Sequence, residues 1–183
     1  MKGLIELSRS LSKVKRFQVY KLFNEYNVAE HSYRVAMLCH IIANDPVTRN
    51  NAIQKALFHD LEEAILGDFP GPIKKRNKLF NEQYDILAED IMTEKLDIER
   101  YYELWKFSKA GRSGMVVHLA DNLEAFMTVV EEIESGNMSM KTTLLRFIEG
   151  VEKIYPLELL TEFPEAKTIL DDLLNRTKEF KNA

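Results

Sequence analysis

Four side chains with metal-binding or proton-handling chemistry stand in positions where apolar residues are expected. His31 falls in line with Val35, Leu38 and Ile42, at i, i+4, i+7 and i+11, on the inward face of a helix over about 28–44. His59 and Asp60 are adjacent in "KALFHDLEEAILGDFPGP" (55–72), where Asp60 shares a stripe with Ile53, Leu57 and Ala64. On a helix their side chains diverge by ~100°, yet both reach a shared point from one edge. Asp121 sits in "VVHLADNLEAFMTVVEEI", flanked on its own side by Val117 and Ala125. Burying a lone carboxylate costs several kcal/mol, of the order of a small domain's stability margin. Two imidazoles and two carboxylates from three helices suit a mixed N/O site for a divalent transition metal, and coordination would compensate the buried Asp60. The same residues also suit satisfied core hydrogen bonds, such as a His–Asp pair tying helices together. For any one of them alone that is the commoner use.

These residues need helices to position them. Seven glycines and five prolines punctuate 183 residues, and apolar side chains recur at helical spacing without a strand-like alternation. Helices are expected over about 2–13, 28–44, 48–66, 77–96, 98–109, 113–135, 139–154 and 164–180, with "GDFPGP" ending the third. An irregular aromatic segment, "RFQVYKLFNEYN", separates the first two, and its Phe17, Tyr20, Phe23 and Tyr26 serve either a pocket or the core. The expectation is one all-α domain, a single helical bundle over 1–183. Apolar faces on the 139–154 and 164–180 helices point to a homo-oligomer.

Composition narrows the classes. A net charge of −4 argues against general nucleic-acid binding, and no apolar run approaches a membrane span. The N-terminus lacks a signal-peptide apolar core, and the single cysteine, Cys39, excludes an internal disulfide; a cytoplasmic setting follows as an expectation. Cys39 itself reads as a small core residue. Glu63, four residues after His59, shares its face, whereas Glu62 is off that face and expected to be exposed. Lys74 and Lys75 follow the Gly-Pro turn and have the reach for extra phosphates, although a solvated charge run is the commoner use. His118 lies near Asp121 within reach of a phosphate, or is simply packed or exposed; His40 points away and has no assigned role.

"EHS" at 30–32, "FHDLEE" at 58–63 and "LADNLEAF" at 119–126 resemble the H…HD…D pattern of the HD-domain metal-dependent phosphohydrolases. More narrowly, "RF…NVAEHS" and the spacing of "HD..E….GD.P.P" over 59–72 resemble the bacterial 5'-deoxynucleotidases of the YfbR type, over roughly 1–140. The resemblance implies an HD-domain fold, a homodimer, and one divalent transition ion (Co, Mn, Zn or similar). It matches His31, His59, Asp60 and Asp121 to the metal ligands, with Glu63 as the acidic residue that handles the attacking water or leaving-group proton. Arg16 matches the phosphate-contacting arginine and Asp68 the sugar-hydroxyl contact. Where the family places Trp after that arginine, this chain has Phe17, which retains a ring to wall in a sugar but loses the indole N–H donor.

The implied function is hydrolysis of (deoxy)ribonucleoside 5'-monophosphates to nucleoside and phosphate, with Arg16 offsetting developing charge. Lys74 and Lys75 keep open an alternative, cleavage of a deoxynucleoside triphosphate to nucleoside and tripolyphosphate. A cyclic-nucleotide or alarmone hydrolase has no specific residue in its favour. A non-catalytic nucleotide-binding module is the reading of another class, and the complete His31/His59/Asp60/Asp121 set argues against it.

Overall fold

Side-chain caps start the two helices that lead into the site. In this computed structural model, which describes residues 1–71 and 76–180, Asn27 opens α2 (Val28–Ile42) with a reciprocal capping box. Its side chain accepts the Glu30 N–H, and Glu30 reaches back to the Asn27 N–H. Asp45 caps α3 (Pro46–Phe58) through the Thr48 N–H, with Pro46 in the first turn. The apolar stripe of α2 lands as expected, with His31, Val35, Leu38 and Ile42 all buried.

The third expected helix, 48–66, is broken. It stops at Phe58, passes through a turn over 59–62, and resumes as the single turn α4 (Glu63–Leu66). Through the break the backbone bonds tighten to i→i−3, with Leu61 N–H on Phe58 O and Glu63 N–H on Asp60 O. The face through which α3 packs also differs from the expected stripe through Ile53, Leu57 and Asp60. Leu57 is 46% exposed, and the buried α3 positions are Thr48, Ala52 and Ala56.

Upstream lies α1 (Lys2–Ser10) with a short 3-10 extension; downstream come α5 (Lys78–Lys95), α6 (Glu99–Lys106) and α7 (Gly111–Glu134). Then follow α8 (Lys141–Glu149), α9 (Val151–Ile154), α10 (Leu157–Glu162) and α11 (Pro164–Arg176). The 139–154 stretch is thus divided at Gly150, and α10 is an element the apolar periodicity had not marked. Among the described residues there is no strand, only an isolated bridge between Lys15 and Asn27.

The 24-residue α7 is the axis of the main core, packing against α2, α3 and α11. Its Val117, Leu119, Leu123, Phe126 and Val130 meet Val35 and Ile42 of α2 and Leu170 and Leu173 of α11. Cys39 is buried here as a free thiol. The apolar faces of α8 and α11 are spent in this core, so they no longer argue for self-association; exposed apolar residues lie instead on α2, at Tyr33, Met37 and Ile41. A second cluster, including Leu7, Val28, Leu61 and Met92, ties α1 and α5 to the turn carrying Asp60. Near its N-terminus α7 admits Gly114 alone: a Cβ there would stand 2.3 Å from the Lys109 carbonyl carbon. That approach folds Lys109 back toward Asp121, two turns along the helix.

Candidate metal centre

The break after α3 and the first half of α7 place the predicted residues together. His31 and His59 face each other with ring centroids 5.3 Å apart. Asp121 Oδ1 stands 3.2 Å from His31 Nε2 and 3.9 Å from His59 Nε2; Asp60 Oδ2 stands 3.6 Å and 3.2 Å from the same two atoms. Donors around one ion at bond lengths of ~2.1 Å sit ~3–4 Å apart, so these separations fit a single cation. One donor atom each from His31, His59 and Asp121 lies within 4.8 Å of the others. Both Nε2 atoms are shielded from solvent, and among the described residues neither makes a hydrogen bond despite the carboxylates alongside. Charge is close but not aligned, which is the arrangement a cation between them completes.

The electrostatics agree. Burial opposes a charged His59, but Asp60 and Asp121 outweigh it and push the imidazole up to about 10. Burial also opposes charge on Asp60 and Asp121; His59, Lys109 and Arg16 hold Asp60 down, and Lys109, His31 and His59 hold Asp121 well below the usual carboxylate range.

Arg16 lies across this cluster. Its Nη1 donates to Asp68 Oδ1 at 2.8 Å and passes 3.8 Å from Glu63 Oε2 and 3.9 Å from Asp60 Oδ2; its Nη2 is 3.6 Å from Asp121 Oδ1. Burial works against the guanidinium charge, but these carboxylates reverse the balance and raise its pKa. The segment carrying it is pinned at three places. Arg16 N–H bonds Tyr26 O and Val28 N–H bonds Val14 O. Asp68 Oδ2 accepts the Phe17 N–H at 2.9 Å, and buried Glu132 accepts both the Phe23 and Asn24 N–H groups. Phe17 adopts φ 54°, a left-handed conformation rare for a bulky side chain and found where surrounding contacts enforce it. Asp68 therefore caps a distant loop and does not fold back on its own turn.

Glu63 is buried, and its Oε2 has no hydrogen-bond partner among the described residues. Burial first, then the charge of Asp60, raise its pKa well above the usual carboxylate range. Glu62 corrects an expectation. It is half-buried and accepts the Trp105 indole N–H at 2.8 Å, because the turn over 59–62 rotates it toward α6. His118 is exposed on α7, where the Asn122 side chain reaches its backbone carbonyl, and His40 is exposed too. Lys74 and Lys75 lie outside the described residues. Of the aromatic run, Tyr26 is buried, Phe17 and Tyr20 meet edge to face with each other and pack on the core, and Phe23 is 57% exposed.

Two partners of the cluster escaped sequence reasoning. Glu124 is 3% exposed, and its Oε2 lies 2.6 Å from His31 Nδ1. Lys109 Nζ donates to Asp121 Oδ2 at 2.8 Å. The signal for Glu124 was present: it is a carboxylate on an apolar sector of α7, the argument that singled out Asp121.

Comparison with known proteins places this arrangement. A model of the YfbR-like 5'-deoxynucleotidase family matches residues 4–171. A 5'-deoxynucleotidase of Shewanella oneidensis is 31% identical over 153 residues, covering 74% of this chain and 78% of that protein. An HD-domain phosphohydrolase of Listeria innocua superposes with a TM-score of 0.65 at 19% identity, covering 96% of this chain and 98% of that one. The cyanophage S-2L HD phosphohydrolase DatZ, solved with dA and one catalytic zinc ion, superposes with a TM-score of 0.58 at 23% identity, covering 90% and 95%. The two structures share the all-α fold. With that fold, the clustered histidines and aspartates, and a family match running from α1 into α11, the chain is a hydrolase that belongs to the YfbR-like 5'-deoxynucleotidases.

Proposed function

We propose that this hydrolase cleaves the phosphomonoester of deoxyribonucleoside 5'-monophosphates, releasing nucleoside and phosphate, with one divalent transition ion held by His31, His59, Asp60 and Asp121. The observation that carries the reading is the pair of shielded, unbonded Nε2 atoms facing two carboxylates, with one buried guanidinium beside them. Such an ion, when bound, supplies Lewis acidity for water and for a phosphoryl oxygen. Arg16 binds the phosphate oxygens and offsets charge that develops on them. Glu63 keeps an uncommitted, buried oxygen for proton transfer. As water attacks phosphorus and the P–O5' bond breaks, Glu63 passes its proton to the departing oxygen and takes up the proton that the attacking water loses. Phe17 walls the sugar, and Asp68, which holds Arg16 and the Phe17 N–H, retains lone pairs for a sugar hydroxyl. A single domain over 1–183, a homodimer and a cytoplasmic setting belong to the same proposal. Among the described residues no helix is long and apolar enough to cross a membrane.

Purified protein incubated with Mn²⁺, Co²⁺ or Zn²⁺ and a panel of nucleoside monophosphates is expected to release phosphate from the deoxy members. No free phosphate from any member refutes the proposal. Tripolyphosphate from a dATP digest transfers it to the triphosphohydrolase alternative.

A further inference from the structure

We infer that Glu124 is a positioning residue for the metal centre: it fixes the tautomer of His31 and strengthens the ring as a donor. The inference rests on the metal reading above but not on which nucleotide is cleaved. A neutral imidazole carries one N–H, and a carboxylate oxygen 2.6 Å from Nδ1 requires that hydrogen to be there. The Nε2 lone pair is then left facing Asp121 and Asp60. A charged acceptor behind the ring also raises its basicity, the role outer carboxylates play at metal-bound histidines.

Glu124 is itself held away from the cluster. Its Oε2 also accepts the Tyr26 hydroxyl at 3.2 Å, and its Oε1 accepts the Thr128 hydroxyl at 3.4 Å. The Arg34 guanidinium, lying over the Tyr26 ring, stands 3.5 Å from Oε1. These contacts fix the carboxylate in place behind the ring. They also engage both oxygens on the side of the ring remote from Nε2, so Glu124 backs the ligand set without joining it. The two histidines therefore differ in what stands behind the ring, since among the described residues His59 Nδ1 meets the neutral Ala56 carbonyl, at 2.7 Å. The Glu124–His31 pair joins α7 to α2 at the point where His31 enters the site.

The test is Glu124→Gln, which keeps the shape and an acceptor but removes the charge. Co²⁺ titration of the metal-free protein, followed by visible absorption, is expected to show affinity roughly 10–100-fold below that of the unsubstituted protein. At saturating metal the KM for a nucleotide should stay within about twofold, because no substrate contact is lost. Affinity within twofold of the unsubstituted protein overturns the inference, as does an unsubstituted protein that takes up no metal. If the variant fails to fold, ¹⁵N NMR of the unsubstituted metal-free protein decides: a proton on His31 Nδ1 supports the inference, and a bare Nδ1 overturns it. Neither the Co²⁺ titration nor the NMR measurement involves catalysis, so a protein that binds metal but hydrolyses no nucleotide fails only the proposed activity.

Discussion

Asp68 grips Arg16 from 52 residues away, one carboxylate oxygen on the guanidinium at 2.8 Å and the other on the backbone of the next residue. A flexible arginine thus becomes a fixed one, aimed over the cluster. Asp68→Asn keeps an acceptor and loses the charge. Charged hydrogen bonds contribute ~1.5–3 kcal/mol, so kcat/KM should fall roughly 10–100-fold with metal content unchanged. Arg16→Ala should cost at least as much. Full activity in Asp68→Asn would show that Arg16 is positioned by its backbone alone.

Metal occupancy should register as stability. An ion at ~100 times its Kd contributes ~2.7 kcal/mol, and at ~2–4 °C per kcal/mol chelation should lower Tm by ~5–10 °C and abolish phosphate release. Asp60→Ala should lose bound metal and both effects while remaining helical by circular dichroism. Unchanged metal content in that variant removes Asp60 from the ligand set.

Glu132 offers a pH-dependent test remote from the metal centre. Burial opposes its charge, but Asn137 and the N–H groups of Phe23 and Asn24 lower its pKa in the folded protein. Its contribution is therefore complete above the unfolded value of ~4.3 and is lost as pH falls below that, through the folded value. Glu132→Gln should be less stable by ~1–3 kcal/mol at neutral pH in urea unfolding, and the gap should narrow at acid pH. An equal gap at pH 7 and pH 3.5 contradicts the assignment.

Gly114→Ala runs against helix propensity, which favours alanine by ~1 kcal/mol. Because the added methyl would meet the Lys109 main chain at 2.3 Å, the variant should instead be destabilised by ~1–3 kcal/mol. A rise in Tm would show that the Lys109 turn gives way freely.

Much of this was legible in the chain itself. His31 declared itself by standing in a stripe with Val35 and Ile42, and Asp121 by standing among valines, because helical periodicity converts spacing into facing. The caps at Asn27 and Asp45 are local chemistry as well, although the expected start near 48 missed the Asp45 cap, which begins α3 at Pro46. The helical class follows from the same periodicity. Tertiary structure alone decided the pairings. Asp68 with Arg16, Lys109 with Asp121 and Trp105 with Glu62 join elements 12 to 52 residues apart, and surface-type side chains carry no mark of their partner. The break over 59–62 moved Glu62 from solvent to α6, and continuous spacing through "ALFHDLEEAIL" gives no sign of it; Leu57, ahead of the break, lies at the surface because α3 packs through Thr48, Ala52 and Ala56. Glu124 shows the boundary most clearly. Its burial was readable from the apolar sector of α7, but its bond to His31 depends on which side of that helix α2 covers, a matter of packing between distant segments that no local pattern encodes.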